Sequence, residues 1–224
     1  MTSVFQWNYS LMRTARKNMA KRVNENYIHN CGLDKQTIRE HEKAITEMGF
    51  SQEHVIRILD FFLFHPPVVK DEKEKRQFGQ RSLKEYGWVG NSQLSRLEGK
   101  LLKAAGIGTF CFIKADTIEN TLKEMDLLDR ACVDHPRAVL RQNISVSIYE
   151  DGSANIVQKE TRMVCLFRHI RNSLAHNQTY SFDNGNILLE DADDNGKISA
   201  RILLPKEALL EWISIVSSGI AGDR

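Results

Sequence analysis

The stretch from Cys165 to Asn177, CLFRHIRNSLAHN, constrains this chain more than any other. Met163, Leu166, Phe167, Ile170 and Leu174 recur at helical spacing and form one apolar stripe. At 100° per residue, Arg168, His169, Asn172 and His176 fall on the opposite side, with Arg171 on the flank between. A helix is expected over about 159–176. The outer face of such a helix needs only to be soluble, and Glu and Lys usually serve. Here it carries imidazoles, guanidinium groups and an amide.

The flanks of this helix alternate like strands. Ile144, Val146 and Ile148, then Ala154 and Ile156, lie on either side of Asp151-Gly152, a hairpin signal. Downstream, Ile187-Leu188-Leu189 and Ile198 to Leu204 bracket the acidic run from Asp191 to Gly196. Pro205 is placed to start a final helix anchored by Leu209, Leu210, Trp212 and Ile213. Asp191, Asp193, Asn195 and Gly196 match positions 1, 3, 5 and 6 of a calcium-binding loop. Position 12, where a bidentate Glu is required, is Ile202, so the run reads as a polar hairpin turn instead.

The first half reads as helices. Residues 4–28 are a candidate helix carrying Arg13, Arg16, Lys17, Lys21 and Arg22, with Phe5, Trp7 and Tyr9 ahead of them. Basic residues with nearby aromatics suit a nucleic-acid backbone; the plainer reading is a solvated helix face. Asp34 and Ser51 are candidate N-caps of two further helices, joined by Gly49-Phe50. That pair has the outline of a helix-turn-helix, but Gln52 to Phe64 is too rich in Val, Ile, Leu and Phe to read base edges. Met48-Gly49-Phe50 also resembles the loop of ubiquitin-associated domains, a match of three residues beside which plain helical-hairpin packing is the simpler account. His65-Pro66-Pro67 stops the third helix. A helix follows from Asn91 or Ser92 to about Ala105, closed by Gly106-Ile107-Gly108, and another is expected over 114–133.

The division expected is an N-terminal helical region at 1–65, a connecting segment at 66–91 and a C-terminal domain at 92–224. Composition excludes little: a net charge of +2 argues neither for nor against nucleic acid. Cys31, Cys111, Cys132 and Cys165 stand far apart, without metal-ligand spacing, so no metal or other cofactor is expected and reduced thiols in a cytoplasm are the default. No secretory leader and no membrane-length apolar run is apparent.

Arg171-Asn172-Ser173-Leu174-Ala175-His176 fits an R-x(4–6)-H signature, with a polar residue directly after the Arg. In this it resembles the HEPN superfamily. The apolar helix before the motif and the Gly/Asn/Asp-rich hairpin and last helix after it resemble one toxin-like prokaryotic subgroup, over about residues 92–217. The resemblance implies a mostly α (α+β) architecture with a C-terminal four-helix bundle bearing β-hairpin insertions. It also implies a homodimer and metal-independent cleavage of RNA by a toxin or antiphage defence effector, with an antitoxin or other regulatory protein as a possible partner.

The residue types suit that chemistry. Cleavage without metal uses the neighbouring 2′-OH as nucleophile, and needs a base, an acid for the leaving 5′-oxygen, and cations beside the phosphorane. Imidazole serves either proton role and guanidinium grips phosphate oxygens. Arg171, Asn172 and His176 are the expected catalytic set; Arg168, His169, Arg13, Arg16, Lys17 and Lys21 are candidate RNA contacts. Arg171 and His176 lie about 140° apart on an ideal helix and converge if the long Arg arm wraps round or the helix ends near Ala175. Competing readings are a catalytically inactive HEPN-like module that binds RNA or protein, a helix-turn-helix regulator, and a capping role for Arg171 and His176 at the helix end.

Overall fold

Residues 187–189 and 198–204 are almost continuously apolar, and strands of that kind must be covered on both faces. They prove to be the centre of the fold. The computed structural model describes residues 45–67, 81–114, 118–128, 133, 135–148, 154–158 and 160–219. In chain order these form α1 (Gln52–Ile58), which continues as a π-helical turn over Leu59–Phe64, then α2 (Gly90–Ala105), β1 (Phe110–Ile113), α3 (Glu119–Glu124) and β2 (Arg137–Arg141). There follow β3 (Ile144–Ile148), β4 (Ala154–Gln158), α4 (Arg162–Ala175), β5 (Thr179–Ser181), β6 (Asn186–Ala192), β7 (Ile198–Pro205) and α5 (Ala208–Ser218).

Five strands make one mixed sheet in the order β1-β2-β7-β6-β5. β1 and β2 are parallel; the other neighbours are antiparallel. β3 and β4 form a separate two-stranded hairpin with Val146 opposite Ile156, the pairing expected from their alternation. The period of two divides each central strand between two cores. Ala138, Leu140, Ile187, Leu189, Ile202 and Leu204 join the helical layer of α1, α2, α4 and α5. Val139, Leu188 and Leu203 face the opposite way, onto Ile118, Leu122 and Leu127 around α3.

The expected four-helix bundle is therefore not the architecture. The stretches 187–189 and 198–204, read as a hairpin insertion, lie in the central strands β6 and β7, and the helices pack on the sheet as well as on one another. Three strands went unrecognised, Phe110–Ile113, Arg137–Arg141 and Thr179–Ser181, because each is too short to show a period. Of the helix expected over 114–133, the described residues show Glu119–Glu124, followed by Asp126 at φ 51°.

Ser51 caps α1 as expected, its hydroxyl accepting the His54 N–H at 3.2 Å. Val55, Ile58, Phe61 and Phe62 are buried in the same core as Leu83, Trp88, Phe167 and Trp212. Phe61 and Phe62 lie 6.5 and 6.2 Å from the Phe167 ring. Met48, in the Gly49 turn, is buried too, so its side chain is part of the interior. Two indole N–H groups tie distant segments together, Trp88 to the Val216 carbonyl at 3.0 Å and Trp212 to the Leu101 carbonyl at 2.8 Å. No helix among the described residues is long and apolar enough to cross a membrane.

Candidate functional site at the end of helix α4

Thr161 starts α4 by accepting the Val164 N–H on its hydroxyl. Met163, Leu166, Phe167, Ile170 and Leu174 are buried, as the stripe requires. Cys165, His169 and Ser173 are buried as well, which leaves solvent a narrow strip through Val164, Arg168, Arg171 and Ala175. The helix ends at Ala175, with His176 as C-cap and Asn177 left-handed at φ 52°. The Asn177 N–H donates to the Leu174 carbonyl at 3.2 Å and the Gln178 N–H to the Ser173 carbonyl at 2.8 Å. This pair of bonds closes the helix on backbone alone. The Gln178 side chain then clasps the backbone of Ala192, donating to its carbonyl and accepting its N–H.

The side chains of Arg171 and His176 make none of these closing bonds, although the His176 backbone is the cap. Both are exposed. The Arg171 guanidinium donates to the Asn172 side-chain oxygen at 3.3 Å. The His176 ring has no hydrogen-bond partner among the described residues.

Behind this exposed corner lies a polar cluster that the helical wheel alone did not reveal. His169, expected on the outer face, is fully buried. The cause is the parity of β6: Asp191 shares the α4 side with Ile187 and Leu189, and its carboxylate meets the helix there. Asp191 Oδ2 accepts from His169 Nδ1 at 2.6 Å and from Asn172 Nδ2 at 3.1 Å. Nε2 of His169 lies 2.9 Å from the Arg141 carbonyl oxygen. Arg168 leans inward too. Its Nε and Nη2 donate to the two oxygens of Glu160 at 2.9 and 2.7 Å, and Nη2 also reaches the Arg141 carbonyl at 3.1 Å. The Asn143 N–H donates to Glu160 at 2.7 Å.

The charges settle accordingly. Burial pushes the Asp191 carboxyl up, but the hydrogen bond and proximity of His169, the Asn172 amide and the Arg168 charge outweigh it and hold the group below its ordinary value. Glu160 behaves likewise: burial is opposed and overcome by Arg168 and the Asn143 N–H. Arg168 is raised, since desolvation, which lowers it, is outweighed by Glu160. The thiol of Cys165, buried under this cluster, is pushed far up, chiefly by burial, and is no nucleophile.

Of the sequence-derived candidates, the structure brings Arg171, Asn172 and His176 to one exposed helix end, and places Arg168 and His169 in the structural cluster beside it. Arg13, Arg16, Lys17 and Lys21 lie outside the described residues. Asp191, Glu160 and the Arg141 carbonyl were missed as neighbours. The available signal was an acid on the strand after a helix bearing Arg-His, but nothing in the sequence fixed its register. The acidic turn is not arranged as a cation loop: Asp191 points to α4, while Asp193 accepts the N–H groups of Asn195 and Lys197, each at 2.9 Å. Among the described residues no group of three or more His, Cys, Asp or Glu side chains is placed to hold a metal ion. No family model, curated protein or solved structure matches the chain.

Proposed function

We propose that the end of α4 is the active site of an endoribonuclease that cleaves RNA without a metal, using the substrate's own 2′-OH. The observation that carries the reading is that the side chains of Arg171 and His176 stand exposed where backbone bonds already close the helix, so neither side chain is used to cap it. In this role Arg171 holds the scissile phosphate and Asn172 orients its guanidinium. His176 carries the proton taken from the 2′-OH or given to the departing 5′-oxygen. The 2′-oxygen bonds to phosphorus as the P–O5′ bond breaks, leaving a 2′,3′-cyclic phosphate and a 5′-OH.

One such histidine per chain serves only one of the two proton transfers, and a homodimer bringing two exposed helix ends together supplies the second. Arg13, Arg16, Lys17 and Lys21 would extend the phosphate contacts; neutralising them should weaken RNA binding and flatten its salt dependence. A cytoplasmic toxin or defence effector, restrained by an antitoxin or another protein, is the setting that fits such an activity. The test is incubation with total RNA in EDTA and analysis of the ends. Cyclic phosphate termini are expected. Activity that disappears in EDTA and returns with magnesium or manganese would overturn the reading, and RNA that is bound but never cut would make the chain a catalytically inactive binding module.

A further inference from the structure

We infer that Asp191 and His169 are positioning residues for this site: they fix the amide of Asn172 and, through it, the guanidinium of Arg171. The inference rests on the reading of Arg171 and His176 as the RNA-cleaving pair. A carboxylate accepts hydrogen bonds and donates none. Asp191 Oδ2, 3.1 Å from Asn172 Nδ2, therefore admits only the amino end of the amide. The amide oxygen is thereby turned to Arg171, whose Nη1 donates to it at 3.3 Å. With the amide reversed, an oxygen would face the carboxylate and an amino group would face the guanidinium, and both contacts would be lost. The orientation of a half-exposed side chain is thus dictated by a buried one.

His169 fixes the carboxylate in turn. Its ring is fully buried, Nδ1 lies 2.6 Å from Asp191 Oδ2, and Nε2 lies between the Arg141 carbonyl oxygen at 2.9 Å and Arg168 Nη2 at 3.1 Å. Ser173 ties the same helical turn together by donating to the His169 carbonyl at 2.8 Å. The line Arg141, His169, Asp191, Asn172, Arg171 runs from the end of β2, through the interior, to the exposed guanidinium. A long flexible side chain so held is ready for a phosphate before one arrives.

The test is a double-mutant cycle with a second, substrate-free readout. Asp191→Asn keeps the shape but lets either end of the Asn172 amide face inward. It should lower kcat on a short RNA by on the order of tenfold to a hundredfold with KM little changed, the scale of a misplaced group. Asn172→Leu should cause a similar loss, and in that background Asp191→Asn should cost less than about twofold, since coupled residues fail to add. Without substrate, the Arg171 Nε–H resonance should move and lose order in either single variant. Equal losses from Asp191→Asn in both backgrounds would make Asp191 merely structural and overturn the inference, as would an Arg171 resonance that ignores both substitutions. If Asp191→Asn does not fold, His169→Gln, which takes the imidazole from the carboxylate, decides through the same resonance, and an unmoved Arg171 signal overturns the inference. A wild-type chain that cuts no RNA, or a fully active His176→Ala variant, would sink the nuclease reading instead, and the resonance would still report whether Asp191 orders Arg171.

Discussion

The carboxylate of Asp191 and the imidazole of His169 meet at 2.6 Å, across 22 positions of sequence, in the interior between β6 and α4. That contact joins the last inward-facing position of a central strand to the middle of the helix that carries the candidate site. It makes the exposed helix end an extension of the core.

Arg171→Ala and His176→Ala should each cut RNA cleavage by on the order of a hundredfold or more. Neither should shift the thermal midpoint noticeably, because both side chains are exposed and the apolar stripe is untouched. Where one site needs both copies of a residue, dimers mixed from mutant and wild type should fall well below half activity. Sedimentation followed by a mixing series checks this, and a curve that tracks the wild-type fraction after confirmed subunit exchange would rule out a shared site.

Arg168 should behave differently from Arg171 although three positions separate them. It is paired with Glu160 and bonded to the Arg141 carbonyl. Arg168→Met should therefore destabilise the fold by about 3 kcal/mol, the scale for taking one partner from a largely buried ion pair. Urea unfolding would show it. An unchanged midpoint accompanied by a loss of RNA affinity would return Arg168 to the role of surface contact.

Asp191 and Glu160 give the protein an acid limb. Both carboxyls are held below their ordinary values in the folded state. In the interval between the folded and unfolded pKa values the unfolded chain binds more protons, so stability rises with pH there. This contribution is complete above the ordinary carboxylate range, near pH 4, and is lost as pH falls through the folded values. Asp191→Asn should flatten the acid side of a stability–pH curve measured by denaturant titration. A curve of unchanged slope would show that the pair contributes nothing to acid stability.

Two glycines should respond oppositely to Ala. Gly219 has φ 59° and ψ −152°, and a Cβ there would collide with the Tyr86 carbonyl oxygen. Gly219→Ala should cost on the order of 2 kcal/mol or more. Gly99 lies within α2, with nothing within 4 Å of an added Cβ. Gly99→Ala should stabilise by roughly 0.5–1 kcal/mol. Thermal melts of the two variants decide both.

What could be read from the sequence was whatever a local period encodes. The stripe of α4, the β3–β4 pairing, the α1 cap at Ser51 and the helix end beside Asn177 all follow from residues within a few positions of one another. The sheet did not, because the partners of β2 are β1 and β7, and Ala138 contacts Ile202 only after the whole chain has folded. A run such as 187–191 looks alike as an outlying hairpin or as a central strand until its covering layers are known. The inward turn of His169 was hidden for the same reason. On a helical wheel it stands among polar neighbours, and only the register of β6 supplies the acid that makes its burial tolerable. Glu190 and Arg201, directly opposite on β6 and β7, form a second buried ion pair on the other face, and no short-range signal pairs them either.

The packing of Phe61 and Phe62 on Phe167 has a practical bearing on how the molecule can be divided. A fragment begun at residue 92 would retain β1 to β7 and the whole of α4, yet it would leave the side of α4 around Phe167 stripped of its cover, together with the interior surface that Leu83 and Trp88 occupy. Such a piece would come out of an expression trial as a sticky, chaperone-bound product, and supplying residues 45–91 on a separate chain should rescue its solubility.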